Sequence, residues 1–210
     1  MTKSNYASRL DEIQNIIKPL LVARSFKQQN RSFTRSVETG LVQVVAFGMA
    51  GSTSSYYGKF TVDIGVYIEE VYLHYHSWEK KPPRKISTSH CEITRRLPTF
   101  LPGVEDKWWE LSGPIGEIVE ELSNLLLNYG LPFLESLLTR KSIIEKSEID
   151  IDFLGLPPRG KTSMAIVNMY LGHKDKAEAL LKSELEQNLN KPYSKFIREV
   201  LTDLGFSIEM

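Results

Sequence analysis

The chain has 210 residues, 41% hydrophobic and 25% charged, an ordinary globular composition that argues against disorder. Its 26 Lys and Arg are balanced by 26 Asp and Glu, so no bulk field draws it to nucleic acid or an anionic membrane; such contact would need a local patch. A single cysteine, Cys91, excludes an intrachain disulfide and a cysteine-based zinc site.

No run reaches the roughly 18 uninterrupted apolar residues of a membrane span. The start, MTKSNYASRLDEIQ, carries acids where a signal peptide has an apolar core. The expectation is a cytoplasmic protein without membrane contact. Tyr6, Leu10, Ile13, Ile16, Ile17, Leu20 and Leu21 then recur at three- and four-residue steps, predicting an amphipathic helix from about Ser4 to Ala23, capped by Ser4 or Asn5. Pro19 cannot donate its N–H, which predicts a kink there or a helix that stops near Ile17.

Arg31–Val37 and Leu41–Met49 read as strands joined through Glu38-Thr39-Gly40, a hairpin connection with a glycine for positive φ. Ala50–Tyr57 is a polar turn. Lys59–Glu69 follows, and everything else is arranged around it. Phe60, Val62, Ile64, Val66 and Ile68 take one parity, and Thr61, Asp63, Gly65, Tyr67 and Glu69 the other. Successive strand side chains point to opposite faces, so this pattern predicts one dry face and one wet face of an antiparallel sheet. VYLHYHSW prolongs the strand or begins a helix, and EKKPPRKISTS is a solvated loop. His90–Leu97 alternates again, with Cys91, Ile93, Arg95 and Leu97 opposite to His90, Glu92, Thr94 and Arg96. Together these are four antiparallel strands in a meander.

LPTFLPGVEDK is irregular, with two prolines and a glycine. Ile115, Ile118, Val119, Leu122, Leu125, Leu126 and Tyr129 then follow at helical spacing between Pro114 and Gly130, the usual start and stop residues. Pro132 opens a second helix with Phe133, Leu134, Leu137 and Leu138. Glu148–Leu156 alternates weakly, as a short edge strand or a loop. Pro157-Pro158-Arg159-Gly160 is the best linker, dividing a sheet-and-helix domain, 1–156, from a helical extension, 157–210. The extension carries helices over Met164–Leu171, Asp175–Leu189 and Ser194–Leu204, stopped by Gly172 and Gly205. YLGHKDKAEALL resembles the turn of a tetratricopeptide hairpin, but a solenoid needs at least three stacked copies and one is present.

PLLVARSFKQQNRSFTR, LVQVVAF, FTVDIGVY, HCEITRRL, KWWEL and GLPFLE, in this order from about Ile16 to Glu135, resemble an uncharacterised bacterial domain-of-unknown-function family, DUF family 4304. The resemblance implies an α+β fold with an N-terminal helix on an antiparallel sheet, and no activity, cofactor or catalytic residue that can be carried over. Members usually have glycine before the phenylalanine after the first helix. Ser25 stands there, and serine tolerates positive φ poorly.

Several groups are candidates for chemistry. Asp63 and Tyr67, if they share a face with His90, Glu92 and Arg96, make a polar patch suited to binding a small ligand or to acid–base work, or simply a solvated sheet face. His74 and His76 are half a metal site on a strand, or part of the aromatic packing of Tyr72, Tyr75 and Trp78. His173, after Gly172, reads as a helix-end cap. Trp78 with Lys80, Lys81, Arg84 and Lys85 resembles an RNA-binding loop and equally a plain surface loop. Trp108 and Trp109 with Leu111 form a compact apolar group, read as a lid over one end of the core or as an interface anchor or pocket wall, with one of the two adjacent indoles facing outward. Arg95 is expected to be partly buried beside a carboxylate, and Cys91 to be a small buried hydrophobe. GLPPRGK is no phosphate loop, because two prolines remove backbone donors.

The expected fold is therefore α+β: a four-stranded antiparallel meander with the N-terminal and following helices on one face, plus a C-terminal helical hairpin. The expected function is a non-enzymatic protein-interaction module, of immunity type in one concrete version. It has an unidentified protein partner, no cofactor, no metal and no nucleic acid. Its contact residues are drawn from Asp63, Tyr67, His90, Glu92, Arg96, Trp108 and Trp109. The alternative is a small-molecule-binding protein or weak hydrolase using the polar sheet-face cluster.

Overall fold

The computed structural model describes residues 5–51, 55–79, 81–104, 107–156 and 159–207. Its antiparallel sheet runs in the order β1 (Lys27–Gln29), β2 (Ser32–Glu38), β3 (Leu41–Met49), β4 (Lys59–Ile68) and β5 (Ile93–Arg96), and β6 (Trp109–Glu110) pairs with the start of β4. The expected meander is present, with two short strands added. Phe60, Val62, Ile64, Val66 and Ile68 are fully buried and stand opposite Met49, Phe47, Val45, Gln43 and Leu41 of β3. Helix α1 (Asn5–Val22) lays Leu10, Ile13, Ile17 and Leu21 on the same core.

Ser4 lies outside the described residues. Helix α1 does not stop near Ile17 but runs through Pro19, whose carbonyl still accepts from the Ala23 N–H at 3.0 Å. So late in a helix, the proline removes one bond and leaves the rest of the turn intact. Ser25 ends the helix with φ 65°, and the Phe26 N–H reaches back to the Leu21 carbonyl at 3.2 Å. Serine thus holds the left-handed position that glycine usually takes at a helix C-terminus. Gly40 supplies the expected positive φ, 74°, in the β2–β3 hairpin.

The second face of β4 departs from expectation. Thr61, Gly65 and Tyr67 are buried and Asp63 is half-buried, so this face is not wet. The chain leaves β4 directly into a helix, α2 (Glu69–Tyr75), and then folds back across the sheet through a 3₁₀ turn at Thr88–His90. A Cβ on Gly65 would lie 2.9 Å from the Cys91 side chain, and the Glu92 N–H donates to the Val66 carbonyl at 3.1 Å. Glycine at 65 is what lets the returning segment lie on the strand. The strand expected over His90–Leu97 accordingly shortens to Ile93–Arg96.

Two further signals carry a different meaning from the one read in sequence. Helix α3 (Ile115–Leu125) passes through a π-helical turn, Leu126–Gly130, straight into α4 (Leu131–Glu135) without a stop. Gly130 is helical, with φ −63° and ψ −47°; its missing Cβ makes room for Leu97, which would otherwise sit 2.7 Å away. Pro132 lacks the N–H of a regular turn, and the wider turn immediately precedes it. Glu148 and Ile149 belong to helix α5 (Arg140–Ile149), capped by Thr139, and a 3₁₀ turn follows at Asp152–Leu154, so no strand forms at Glu148–Leu156.

Pro157 and Pro158 lie outside the described residues. Beyond them come α6 (Gly160–Tyr170), α7 (Lys174–Gln187) and α8 (Tyr193–Asp203), with Gly172 at φ 81° turning α6 into α7 and Gly205 at φ 78° ending the last helix. One hydrophobic cluster runs from Leu10 through the sheet to Ile197, Leu201 and Phe206. None of the described helices is long and apolar enough to cross a membrane.

Candidate functional site

Antiparallel register sets Asp63 of β4 directly against Arg96 of β5, and the Arg96 Nε donates to Asp63 Oδ1 at 3.3 Å. From there a row of rings continues along the surface. The Arg96 guanidinium lies 5.0 Å from the Trp108 ring centre, Trp108 stacks on Tyr56 at 5.0 Å and 26°, and the Lys59 ammonium sits 5.9 Å from Tyr56. Lys59 in turn pairs with Glu110 at 3.1 Å. The order is cation, ring, ring, cation, and the quadrupole of each ring attracts the adjacent charge. Next to the row, Asp63, Arg95 and Arg96 with Thr88, Ser89 and Thr94 line an open depression of about 470 Å³.

The other sequence-derived candidates lie elsewhere, and the acid–base patch drawn from strand parity does not assemble. Asp63 pairs with Arg96, whereas Tyr67, His90 and Glu92 are each engaged with other groups. Tyr67 is fully buried, 5.4 Å from the Tyr72 ring, with no partner for its hydroxyl among the described residues; burial and then the charge of Glu69 push its pKa up. His90 meets Tyr72 edge-on at 5.5 Å, while its Nδ1 accepts from the Ser87 N–H at 3.1 Å. Glu92 turns inward, accepting from Ser163 Oγ at 2.5 Å and Arg159 at 3.2 Å. The patch fails because the 3₁₀ turn and the irregular residues after it interrupt the period-2 geometry on which parity depends.

The two tryptophans divide as expected. Trp109 is 3% exposed, packs 5.5 Å from Phe60 and donates Nε1–H to Glu121 at 2.9 Å. Burial opposes ionisation of Glu121, but hydrogen bonds from Lys107 and Trp109 outweigh it and hold the carboxyl below its ordinary range. Trp108 is the half-buried one. Arg95 is half-buried over Phe100 at 4.4 Å, its pKa lowered by burial against the opposing charge of Asp150. Cys91 is half-buried rather than fully buried, and desolvation pushes its thiol up, away from a reactive thiolate. His74 and His76 lie on α2 and just past its end, not on a strand; His76 stacks on Tyr72 at 4.2 Å and His74 is 4.0 Å from Asp203. No group of three or more His, Cys, Asp or Glu converges among the described residues. The His173 N–H closes α6 on the Asn168 carbonyl at 2.9 Å, a cap made by the backbone. Trp78 is exposed, as are Lys81, Arg84 and Lys85; Lys80 lies outside the described residues.

Three polar arrangements went unseen in sequence. Arg140, 1% exposed, holds both Glu70 oxygens at 2.7 Å and donates to the Thr39 carbonyl at 2.9 Å, fastening the β2–β3 hairpin to α2 and α5. Gln43 sits buried on the core face of β3 and donates to the Leu134 and Leu137 carbonyls at the end of α4. Ser163 joins Glu92 to Tyr75, whose hydroxyl is 2.8 Å away, so one buried network ties α2, β5's approach and α6 together. Tyr56 carries no local signal beyond its place in a polar turn. Only proximity in space brings such residues together; the one local signal was a lone glutamine inside an apolar strand.

Residues 17–136 match the family model described as Domain of unknown function (DUF4304). No curated protein and no solved structure matches the chain.

Proposed function

The chain belongs to the DUF4304 family, and from that premise we propose that it is a non-enzymatic protein-interaction module whose partner docks on the row Arg96–Trp108–Tyr56. One observation carries this reading: Arg, Trp and Tyr, the residue types that dominate binding hot spots, are stacked into a row at the surface, with Arg96 anchored on the β4–β5 pair, Trp108 directly before β6 and Tyr56 in the turn before β4. The stack fixes their rotamers before binding, which lowers the entropy cost of association. The depression beside Asp63 is open, which suits a protein surface better than an enclosed small-molecule site. An immunity-type module acting in the cytoplasm, which occludes a surface of another protein, is the concrete form of this reading. The row carries both signs of charge, with Asp63 and Glu110 beside Arg96 and Lys59, so the complementary surface is mixed as well. The alternative, a small-molecule or hydrolytic site, depended on Asp63, His90 and Glu92 acting together.

The test compares tagged wild type with Arg96→Ala and Trp108→Ala variants expressed in the native host. A protein retained by wild type and lost with both variants is expected. Reconstituted from purified components, that pair should bind at least about 10-fold more weakly through either variant. Equal affinity for wild type and variants would remove the row as the docking surface.

A further inference from the structure

At the other end of the same sheet face, the returning loop and the sheet edge enclose a groove of about 430 Å³. We propose that it binds a small phosphomonoester with an apolar or flat body. Lys27 of β1 and Arg84 of the loop both line it; both are exposed and neither forms an ion pair among the described residues. Ser25 and Thr34 add hydroxyls without a hydrogen-bonding partner among the described residues, and Ser36 adds a third. Arg35 is a wall of the groove rather than a ligand, since Gln43 at 2.6 Å and Glu135 at 2.8 Å already occupy its guanidinium.

Charge singles this groove out. Lys and Arg equal Asp and Glu over the whole chain, yet among the described residues no carboxylate lines it. The concavities beside Asp63, between α5, α6 and α7, along α3 and at the α6–α7 turn each contain at least one. Two cations and three hydroxyls supply more donors than the two oxygens of a carboxylate can take up. A phosphomonoester offers three strong acceptor oxygens and up to two charges, and the arginine fork matches its geometry. Val42 and Ile86 form an apolar patch within the same lining, where the remainder of the ligand would rest. This site shares no residue with the Arg96–Trp108–Tyr56 row, so the two proposals stand or fall separately.

Amide NMR of the full chain, titrated in turn with inorganic phosphate, a nucleoside monophosphate, the unphosphorylated nucleoside and single-stranded oligonucleotides, tests it. Phosphate should perturb the amides of Lys27, Thr34 and Arg84, and the monophosphate those of Val42 and Ile86 as well, with about 10-fold higher affinity from the added apolar contact. The nucleoside alone should not saturate. Lys27→Ala and Arg84→Ala should each weaken monophosphate binding by roughly 10-fold, the worth of one charge-assisted hydrogen bond. Melting should not change, because both side chains are exposed. Perturbations scattered over other lysines, unchanged affinity in both variants, or saturation by the nucleoside alone would overturn the proposal. Affinity that climbs with oligonucleotide length would overturn it too, in favour of a strand-tracking surface around Trp78.

Discussion

Arg140 and Arg96 both pair with a carboxylate at the sheet, yet their surroundings give them opposite work. Arg140 is 1% exposed, bidentate to Glu70, with its guanidinium 4.4 Å from the Tyr170 ring. Arg96 and Asp63 each keep about a third of their side-chain surface in water, 31% and 32%, and pair with Nε 3.3 Å from Oδ1. A buried pair tolerates no missing partner, because the survivor is left charged without solvent. A half-exposed pair loses little when broken, because water replaces the partner. The lesson is that the same chemical pair is a fastener in one place and an available surface in the other, and solvent access decides which. The same division separates Trp109 from Trp108, adjacent in sequence and opposite in role.

The comparison can be broken experimentally, beginning where the effect is largest. Arg140→Ala should cost about 3–5 kcal/mol in urea unfolding, since Glu70 is then left unpaired beside a closed hairpin. Arg140→Lys should recover only part of this, because an ammonium cannot reproduce the planar two-bond fork. Trp109→Ala should cost a comparable 3–5 kcal/mol, roughly, by the same measurement. Trp108→Ala should cost under about 1 kcal/mol while weakening partner binding. Large stability losses from both tryptophans would erase the distinction between core and surface row.

Two carboxylates sharpen the contrast through pH. Burial holds Glu92 above the usual carboxylate range, although Ser163 and Arg159 pull the other way. The folded chain then binds more protons than the unfolded one between the ordinary value and the raised one. On this group's account, stability rises as pH falls through the raised value and levels off below the ordinary one. Glu121 is the reverse case: its folded value is depressed, so its contribution is present above the ordinary carboxylate range and is lost as pH falls through the depressed value. Urea midpoints measured across the acid range should therefore change in opposite senses. Glu92→Gln should remove a gain on acidification, and Glu121→Gln should remove a loss. Identical acid limbs in the two variants would contradict this assignment.

The smallest effect concerns the end of α1. Ser25 holds φ 65° without the freedom of glycine, so Ser25→Gly should stabilise by about 0.5 kcal/mol, visible as a small rise in the urea midpoint. An unchanged or lower midpoint would show that the greater freedom of glycine in the unfolded chain cancels the relief of strain.

Local chemistry determined much of this protein. Alternation in Lys59–Ile68, the hairpin glycine at 40, the stripe from Leu10 to Leu21 and the glycines after α6 and α8 were all legible, because each depends on the repeat of a single element. The division of Trp108 and Trp109 was legible for the same reason: neighbours on an extended chain face opposite ways. Tertiary structure alone decided what lay against each element. Nothing local says that the loop after α2 returns over Gly65, and that return buries Tyr67, turns Glu92 toward α6 and leaves Asp63 with Arg96 at the surface. Gly130 shows the limit most plainly. A glycine after a helical run reads as a stop, yet here it is the space that Leu97 fills, and only the partner across the core distinguishes the two. Periodicity is a property of one segment and can be read along the chain, whereas burial and pairing belong to two segments at once and exist only after they meet.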